Sequence, residues 1–484
     1  MNKTTSLLFL FLCAFFSIGY GQTRYTLDRV IDMAKAQSPL AKQAETQKEN
    51  RYWNYRFYKS NYNPQLRLSG VLPNFNRTTQ AVVQPEGDID YKQIDQTTTS
   101  TRLYLNQPIP WTGGNIFMNS NLDYFKDNAD QIERWRGDPF NIQINQPILA
   151  FNQLRWDKKT EPLRFEESKR SYVEDMEAIS RDAVERYFNV MDAQIRLQIA
   201  EFNLANNDTI YKIENGRYNI GTTTRDKLLQ AELQLLRSRQ AVTQEKINLQ
   251  NTKLAFRSYL GIKENTDFEL TLPEVIPNFT ISVDEALNYA RANRADFIAF
   301  ERRKVEAERG VAEAKGQRYA IDVTATYGLS NTGAYLNDVY VDPLSQQTVN
   351  LQFNIPIVDW GRNKARVQRA IANKRLNDYI IEQDQIIFEQ EIITQVRQFD
   401  VLLSQIEITK KSDEVAQERY TVSQNRYLIG KIDITNLNIA LTEKDQAKQS
   451  YLNALRAFWN AYYDMRRLTL YDFSTGQLLY TVDD

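Results

Sequence analysis

The side chains that most often carry catalysis or bind metals are scarce in this sequence. Its 484 residues contain no histidine, which removes the commonest general base and the commonest metal ligand. The one cysteine, Cys13, lies in an apolar N-terminal segment, so the rest of the chain has no thiolate and no disulfide. There is no glycine-rich phosphate loop and no nucleophile elbow, and charged pairs such as Glu166 and Glu167 follow helical spacing. The sequence therefore predicts no enzyme activity, no cofactor and no metal site.

Two copies of one short motif are the residues with a candidate role. The pattern Arg-Tyr-x-Ile-Gly occurs at Arg217, Tyr218, Ile220 and Gly221, and again at Arg426, Tyr427, Ile429 and Gly430. A glycine directly after a helix supplies the positive φ that a tight helix–helix turn often needs. The motif therefore predicts two exposed turns at helix ends. Their side chains could dock a partner protein, and a purely structural turn is the alternative.

Each motif ends a long helical segment. The second copy closes a span without proline or glycine that begins after Gly361, and at ~1.5 Å per residue it predicts a helix on the order of 100 Å long. A proline ends an alternating segment before each helix, and the distance from that proline to the motif glycine is the same in both halves. It is 74 residues from Pro147 to Gly221 (221 − 147) and from Pro356 to Gly430 (430 − 356). The equal spacing indicates an internal duplication.

Alternating segments precede each long helix. Over residues 64–148 and 319–356, stretches of roughly ten residues have one apolar face and one face rich in Asn, Gln, Ser and Thr, as do strands that cross an outer membrane. A soluble β-sandwich also alternates, but the flanking long helices argue against it. Residues 73–96, 125–139 and 328–347 are polar and are predicted as loops. The tetrapeptide Asn-Gln-Pro-Ile occurs twice, from Asn106 and from Asn145, which predicts an extra strand pair and six strands in the chain.

The predicted organisation follows from these segments and from the N-terminus, where Lys3 precedes an apolar run. It comprises a signal peptide at 1–21; a first repeat at 22–270 with strands at about 64–148, a long helix at 152–217 and a return helix at 225–260; a linker at 271–281; a second repeat at 282–470 with strands at about 319–356, a long helix at 361–428 and a return helix at 436–468; and a polar C-terminal tail at 471–484. A capping box formed by Ser282 and Glu285 opens the second repeat. The 60 basic and 61 acidic residues nearly cancel, so nucleic acid is not an expected partner.

The order of these elements resembles the TolC-like outer-membrane efflux protein family. The resemblance rests on the duplicated plan, the paired turns, the segment Pro-Ile-Val-Asp-Trp-Gly-Arg at 356–362, and the repeat openings Thr-Leu-Asp at 26–28 and Ser-Val-Asp at 282–284. It implies an α+β membrane protein, a homotrimer that pools its strands into one β-barrel in outer-membrane lipid and its helices into one periplasmic α-helical barrel. It also implies a passive channel in a Gram-negative cell, fed by an inner-membrane pump through a periplasmic adaptor that docks at the paired turns.

The resemblance also indicates where the pore entrance lies. The best-known members place acidic side chains six and nine residues after the glycine of the second turn, and those positions here are Asn436 and Ile439. The first-half equivalents are Lys227 and Gln230, and the nearby carboxylates are Asp226 and Asp433. A ring of carboxylates attracts cations and resists anions, so amide and apolar rings should select ions weakly. Simple packing between helices is the alternative role for these positions.

One alternative of another class is a trimeric coiled-coil stalk or adhesin with a small anchoring barrel. Such a stalk would keep one strict heptad repeat and would not fold back. Here each long helix turns at a glycine and a second helix returns, which favours the channel.

Overall fold

The computed structural model describes residues 23–263, 267–273, 275–277 and 279–480. The predicted signal peptide, with Cys13, lies outside these residues. The helices are α1 (Leu27–Gln37), α2 (Pro39–Ser60), α3 (Gln153–Asn219), α4 (Arg225–Leu260), α5 (Val283–Asn293), α6 (Ala295–Gly316), α7 (Arg362–Leu428) and α8 (Ile434–Thr469). The strands are β1 (Thr23–Tyr25), β2 (Gln65–Val83), β3 (Ile89–Ile109), β4 (Gly114–Asp127), β5 (Ile132–Ile148), β6 (Phe268–Leu270), β7 (Ala320–Gly333), β8 (Leu344–Asn354), β9 (Tyr471–Asp472) and β10 (Gln477–Leu478).

Helix lengths repeat between the two halves of the chain. The first half has helices of 11, 22, 67 and 36 residues, and the second half has helices of 11, 22, 67 and 36 residues in the same order. The helices before the strands are offset by 256 residues (295 − 39), and the long helices by 209 residues (362 − 153). These two offsets relate any position in one half to its counterpart in the other.

Six strands form one antiparallel sheet in the order β2-β3-β4-β5-β7-β8, so β2 and β8 are its edges. The register brings apolar residues together on one face, where Ile116 lies opposite Ile144, Ile144 opposite Ala325, and Ala325 opposite Val349. Asn145, Thr324 and Asn350 form the matching polar row on the other face. The period of two places one residue type on each face, and six strands agree with the number that the sequence predicts.

The first predicted loop, residues 73–96, is wrong. β2 continues to Val83 and β3 begins at Ile89, so residues 84–88 alone form the turn. The strands reach 19 and 21 residues because the Thr- and Gln-rich segments pair with each other, as Thr79 does with Gln93. Pro73 is tolerated because it lies at a register shift between Val71 and Asn74, where no ladder hydrogen bond is required.

The other two predicted loops are also shorter than expected. In residues 125–139, β4 ends at Asp127 and β5 begins at Ile132. Asn128 stabilises this turn, since its side-chain amide donates to Asp95 Oδ1 at 2.8 Å. In residues 328–347, β7 extends to Gly333 and a 3₁₀ helix, Leu336–Tyr340, packs back on the sheet through buried Val339.

Two predictions at chain ends require correction. Ser282 caps α5 through its backbone, and its side chain makes no capping hydrogen bond, so the predicted capping box is absent there. The predicted polar tail is ordered over residues 471–480, where β9 and β10 form a small hairpin. Asp472 is buried in it because it accepts a hydrogen bond from Tyr462 at 2.8 Å and pairs with Arg466.

The described chain divides into two compact units. Unit 1 contains the described residues up to Gln47, residues 170–294 and residues from 388 onward; unit 2 contains residues 48–169 and 295–387, which include the six-stranded sheet. Unit 1 holds a buried ion cluster in which Glu177 accepts hydrogen bonds from Lys35 Nζ and Arg466 Nε, each at 2.7 Å. This cluster joins α1, α3 and α8.

Candidate functional site

The two Arg-Tyr-x-Ile-Gly motifs form turns with the same backbone geometry. Gly221 has a φ of +75° and Gly430 a φ of +70°. The Gly221 N–H donates to the carbonyl of Tyr218 at 2.9 Å, and the Thr222 N–H donates to that of Arg217 at 2.8 Å. The second turn repeats both bonds at 3.0 and 2.8 Å, from Gly430 and Lys431. This pattern satisfies the last helix carbonyls and requires a left-handed residue, which explains the glycine in each motif.

Side chains around the two turns differ, although the backbones match. Tyr427 is 2% exposed and belongs to an apolar cluster between the helix ends, whereas its counterpart Tyr218 is 40% exposed. The other members of that cluster are Ile210, Ala231, Tyr420, Ile434, Leu437 and Leu441. The second turn is therefore anchored in the interior of unit 1, and the first turn presents its tyrosine to solvent.

A buried carboxylate holds Tyr427 in place. Glu214 Oε1 accepts the Tyr427 hydroxyl at 2.7 Å and Arg217 at 2.9 Å, while Oε2 accepts Thr223 at 2.9 Å. Burial raises the pKa of Glu214, but these hydrogen bonds outweigh it and hold the pKa below its ordinary value. Burial and the neighbouring carboxylate raise the pKa of Tyr427. The position equivalent to Glu214 in the second half is Ser423 (214 + 209), so the network exists on one side only.

Residues predicted at the docking turns lie on the surface apart from Tyr427. Ile220, Gly221, Ile429, Gly430 and Arg426 are exposed, and Arg217 is half-buried against Glu214. Arg426 lines a groove between the end of α7 and the start of α8, together with Val415, Glu418, Arg419, Val422, Ser423, Ile432 and Asn436. The turns thus offer apolar and cationic side chains beside a groove, which suits a helical protein segment.

Pore-entrance candidates lie at the starts of the return helices. Asp433 is the N-cap of α8, and its Oδ1 accepts the backbone N–H and the side-chain amide of Asn436, each at 2.9 Å. Ile439 is exposed one turn further along. In the first half, Asp226, Lys227 and Gln230 are all exposed on the first turns of α4. The structure therefore brings Asp433 and Asn436 together, and Asp433 is engaged in capping.

Two residues of this site escaped the sequence analysis. Glu214 and Thr223 complete the Tyr427 network, and Glu214 is separated from Tyr427 by 213 residues. The spacing of Glu214 and Arg217 on one helix face is a weak signal that occurs on many helices. In the described part of the chain, no group of three or more His, Cys, Asp or Glu side chains is arranged to hold a metal ion. Among the described helices, none is both long enough and apolar enough to pass through a lipid bilayer.

A family model described as outer membrane efflux protein matches the chain over residues 30–262 and 286–469. The two matched stretches correspond to the two halves of the duplication. No curated protein matches the sequence.

Solved outer-membrane channels share this fold. The Campylobacter jejuni CmeC outer membrane channel is 16% identical with a TM-score of 0.64, over 94% of this chain and 87% of that chain. A membrane protein from Pseudomonas aeruginosa is 15% identical with a TM-score of 0.65, over 94% and 92%. The open state of the Neisseria gonorrhoeae MtrE outer membrane channel is 15% identical with a TM-score of 0.62, over 92% and 88%.

Proposed function

The chain belongs to the outer membrane efflux protein family, and from that premise we propose that it works as a homotrimer that docks a periplasmic adaptor and receives substrates from an inner-membrane pump. Membership makes it the outer-membrane channel component of an efflux system, with its helical part in the periplasm. Members of the family and the similar structures are channels rather than enzymes. The stalk or adhesin alternative is not favoured.

Open edges on the sheet support the homotrimer. An unpaired strand edge cannot face lipid, and β2 and β8 are both edges of the sheet in a single chain. If copies join β2 to β8, three six-stranded sheets close one barrel of eighteen strands (3 × 6). The lower half of α7 also exposes β-branched residues at every seventh position, which is the pattern of a helix that packs against another helix. They are Val401, Ile408, Val415, Val422 and Ile429.

The matched turns support docking of an adaptor, and their glycines offer a test. Both glycines have positive φ and open space where a Cβ would lie, so valine there strains the backbone without a clash. We expect Gly221→Val with Gly430→Val to leave trimers intact and to weaken adaptor binding about tenfold, since a strain of ~1–2 kcal/mol distorts the docking surface. Titration of the adaptor onto purified trimers measures the change.

Gly216→Val is the control for this pair, because Gly216 lies in α3 without positive φ and also has open space around it. Normal adaptor binding and transport by trimers of the double variant would show that the turns have no docking role.

Conductance tests the pore-entrance residues. Since Asn436 and Ile439 carry no charge, we expect weak block by divalent or trivalent cations applied at micromolar concentration to the periplasmic side of a bilayer. Asn436→Asp with Ile439→Asp should strengthen the block at least about tenfold, because three copies would place a ring of carboxylates in a narrow pore. Thr435→Asp adds the same charge on another face of α8 and is the matched control. Strong block of the unmodified channel would contradict the assignment.

A further inference from the structure

Two aromatic side chains of α2 point away from the rest of their own chain. Trp53 is 59% exposed and Phe57 is 69% exposed. The opposite face of α2 packs on α3, where Tyr55 stacks on Phe165 with the ring centroids 4.4 Å apart. At 100° per residue, Trp53 and Phe57 lie about 160–200° around the helix from Tyr55. A pair of large exposed rings on one helix face indicates a surface that another molecule covers.

The duplication shows that the fold itself does not require these rings. With the offset of 256 residues, Trp53 corresponds to Arg309 and Phe57 to Glu313 on α6. Arg309 is used for helix packing, because its guanidinium contacts Asp157 of α3 at 3.2 Å. The face of α6 that corresponds to the aromatic face of α2 is therefore a seam between two helices in the same chain.

Ion pairs hold this seam together. Besides Arg309 and Asp157, Arg164 of α3 pairs with Glu306 of α6 at 2.5 Å, and Arg302 of α6 pairs with Glu167 of α3 at 2.5 Å. Burial raises the pKa of Glu306, but Arg164 and Arg302 hold it below its ordinary value. The α3–α6 seam is thus a zipper of arginine and carboxylate.

Strand order decides which helices meet when copies join. Inside the chain, β5 pairs with β7, which sets α3 beside α6 because α3 follows β5 and α6 precedes β7. At the sheet edges, α7 follows β8 and α2 precedes β2. If β8 of one copy pairs with β2 of the next, α7 lies beside the α2 of that next copy. The seam between copies then repeats the geometry of the α3–α6 seam.

The two offsets identify the residues that meet across this seam. Asp157 corresponds to Arg366 (157 + 209), and Arg309 corresponds to Trp53 (309 − 256). We propose that, in the homotrimer on which this inference rests, the indole face of Trp53 packs on the Arg366 guanidinium of the neighbouring copy. An arginine over a tryptophan face is a favourable cation–π pair, and its planar group can stack while it keeps hydrogen bonds. In a single chain Arg366 contacts Gln317 at the end of α6 at 3.3 Å.

Different chemistry at the two seams makes them non-interchangeable. The ion pair between Arg164 and Glu306 corresponds to Asn373 and Asn50 between copies, so the second seam has amides where the first has charges. A wrong register that set Trp53 against Asp157 would leave a carboxylate against the negative face of a ring. The seams therefore direct α2 to the α7 of another copy, which is selection against wrong pairing.

Cross-linking tests the proposed contact directly. Since the sequence has a single cysteine, Cys13, in the predicted signal peptide, introduced thiols can be labelled cleanly. Trp53→Cys with Arg366→Cys, treated with a short bis-maleimide in detergent-purified protein, should give covalent dimers and trimers. Arg309→Cys with Asp157→Cys is the matched control, because the same geometry lies within one chain and should link without a change in mass. Trp53→Cys with Arg375→Cys, on another face of α7, should not link.

A charge swap gives a second readout. Trp53→Arg sets two arginines together and Arg366→Asp removes the cation, so each should raise the dissociated fraction of trimers about tenfold. The double variant recreates the pair seen between Arg309 and Asp157 and should restore trimers to within about twofold of the original.

The inference is overturned if trimers form and the control pair links while the Trp53 and Arg366 pair does not. Strong quenching of Trp53 by brominated lipids would also overturn it, since the occupant would then be the membrane. A monomer by mass measurement in detergent would instead overturn the homotrimer itself.

Discussion

Replacing Arg466 by leucine should lower the free energy of unfolding by about 3–5 kcal/mol, because removal of one partner leaves buried charges uncompensated. Arg466 donates to Glu177 at 2.7 and 3.2 Å and also pairs with Asp472. Glu177 and Asp472 are both buried, and without Arg466 only Lys35 remains beside Glu177. Denaturant unfolding followed by circular dichroism, at fixed protein concentration, measures the loss.

Arg467→Leu is the control for this variant. Arg467 is the next residue, and its contacts with Glu391 and Asp464 are long, at 3.7 and 3.6 Å, and partly exposed to solvent. Such surface pairs contribute about 0–1 kcal/mol. Equal losses for the two leucine variants would show that the buried cluster does not stabilise the fold.

The same cluster predicts a pH dependence. Burial raises the pKa of Glu177, but Arg466 and Lys35 outweigh it and hold that pKa below its ordinary value. Asp472 is also held below its ordinary value, by hydrogen bonds from Ser474 and Tyr462 and by the Arg466 charge, against burial. A lowered folded pKa contributes stability above the unfolded value of about 4, and that stability is lost as pH falls through the folded pKa. The acid loss should be smaller in Arg466→Leu.

Replacing Tyr427 by alanine should destabilise the second turn by about 3–5 kcal/mol, the usual cost of removing a large buried ring. The change also removes one of the donors that compensate buried Glu214. Tyr427→Phe keeps the ring and loses the hydroxyl alone, so about 1–2 kcal/mol is expected. Amide hydrogen exchange over the ends of α3 and α7, read by mass spectrometry, reports the local opening free energy.

The duplication supplies the control for this variant as well. Tyr218→Ala removes the equivalent tyrosine from the first turn, where the ring is exposed, and should change protection by less than about 0.5 kcal/mol. If both alanine variants lose protection equally, the buried network at the second turn is not what stabilises the helix ends.

Helices and turns could be predicted from the sequence because their signals are local. A glycine of positive φ ends each long helix, and a proline ends the strand before it, so the repeat of both in each half revealed the duplication. The predicted loop at residues 73–96 failed for the opposite reason. Pro73 and Gly87 suggested irregular backbone, but pairing with β3, a non-local interaction, keeps residues 74–83 in a strand.

The candidate site was predictable only in outline. Periodicity places Tyr218 and Tyr427 at equivalent positions, yet one is exposed and the other is buried. What separates them is Glu214, whose counterpart is Ser423, and a single sequence does not show which distant residue a tyrosine will meet. The predicted C-terminal tail is ordered for a similar reason, because Asp472 depends on Tyr462 and Arg466.

Equal helix lengths in the two halves constrain how such a chain can evolve. One inserted residue in α3 alone would rotate everything beyond it by about 100° and shift it by ~1.5 Å, which would separate Glu214 from Tyr427. An insertion of seven residues would restore the facing but displace one turn from the other by ~10 Å. Mutations that lengthen or shorten the helices of this lineage should therefore be fixed in matched sets, with the same number of residues gained or lost in α3, α4, α7 and α8.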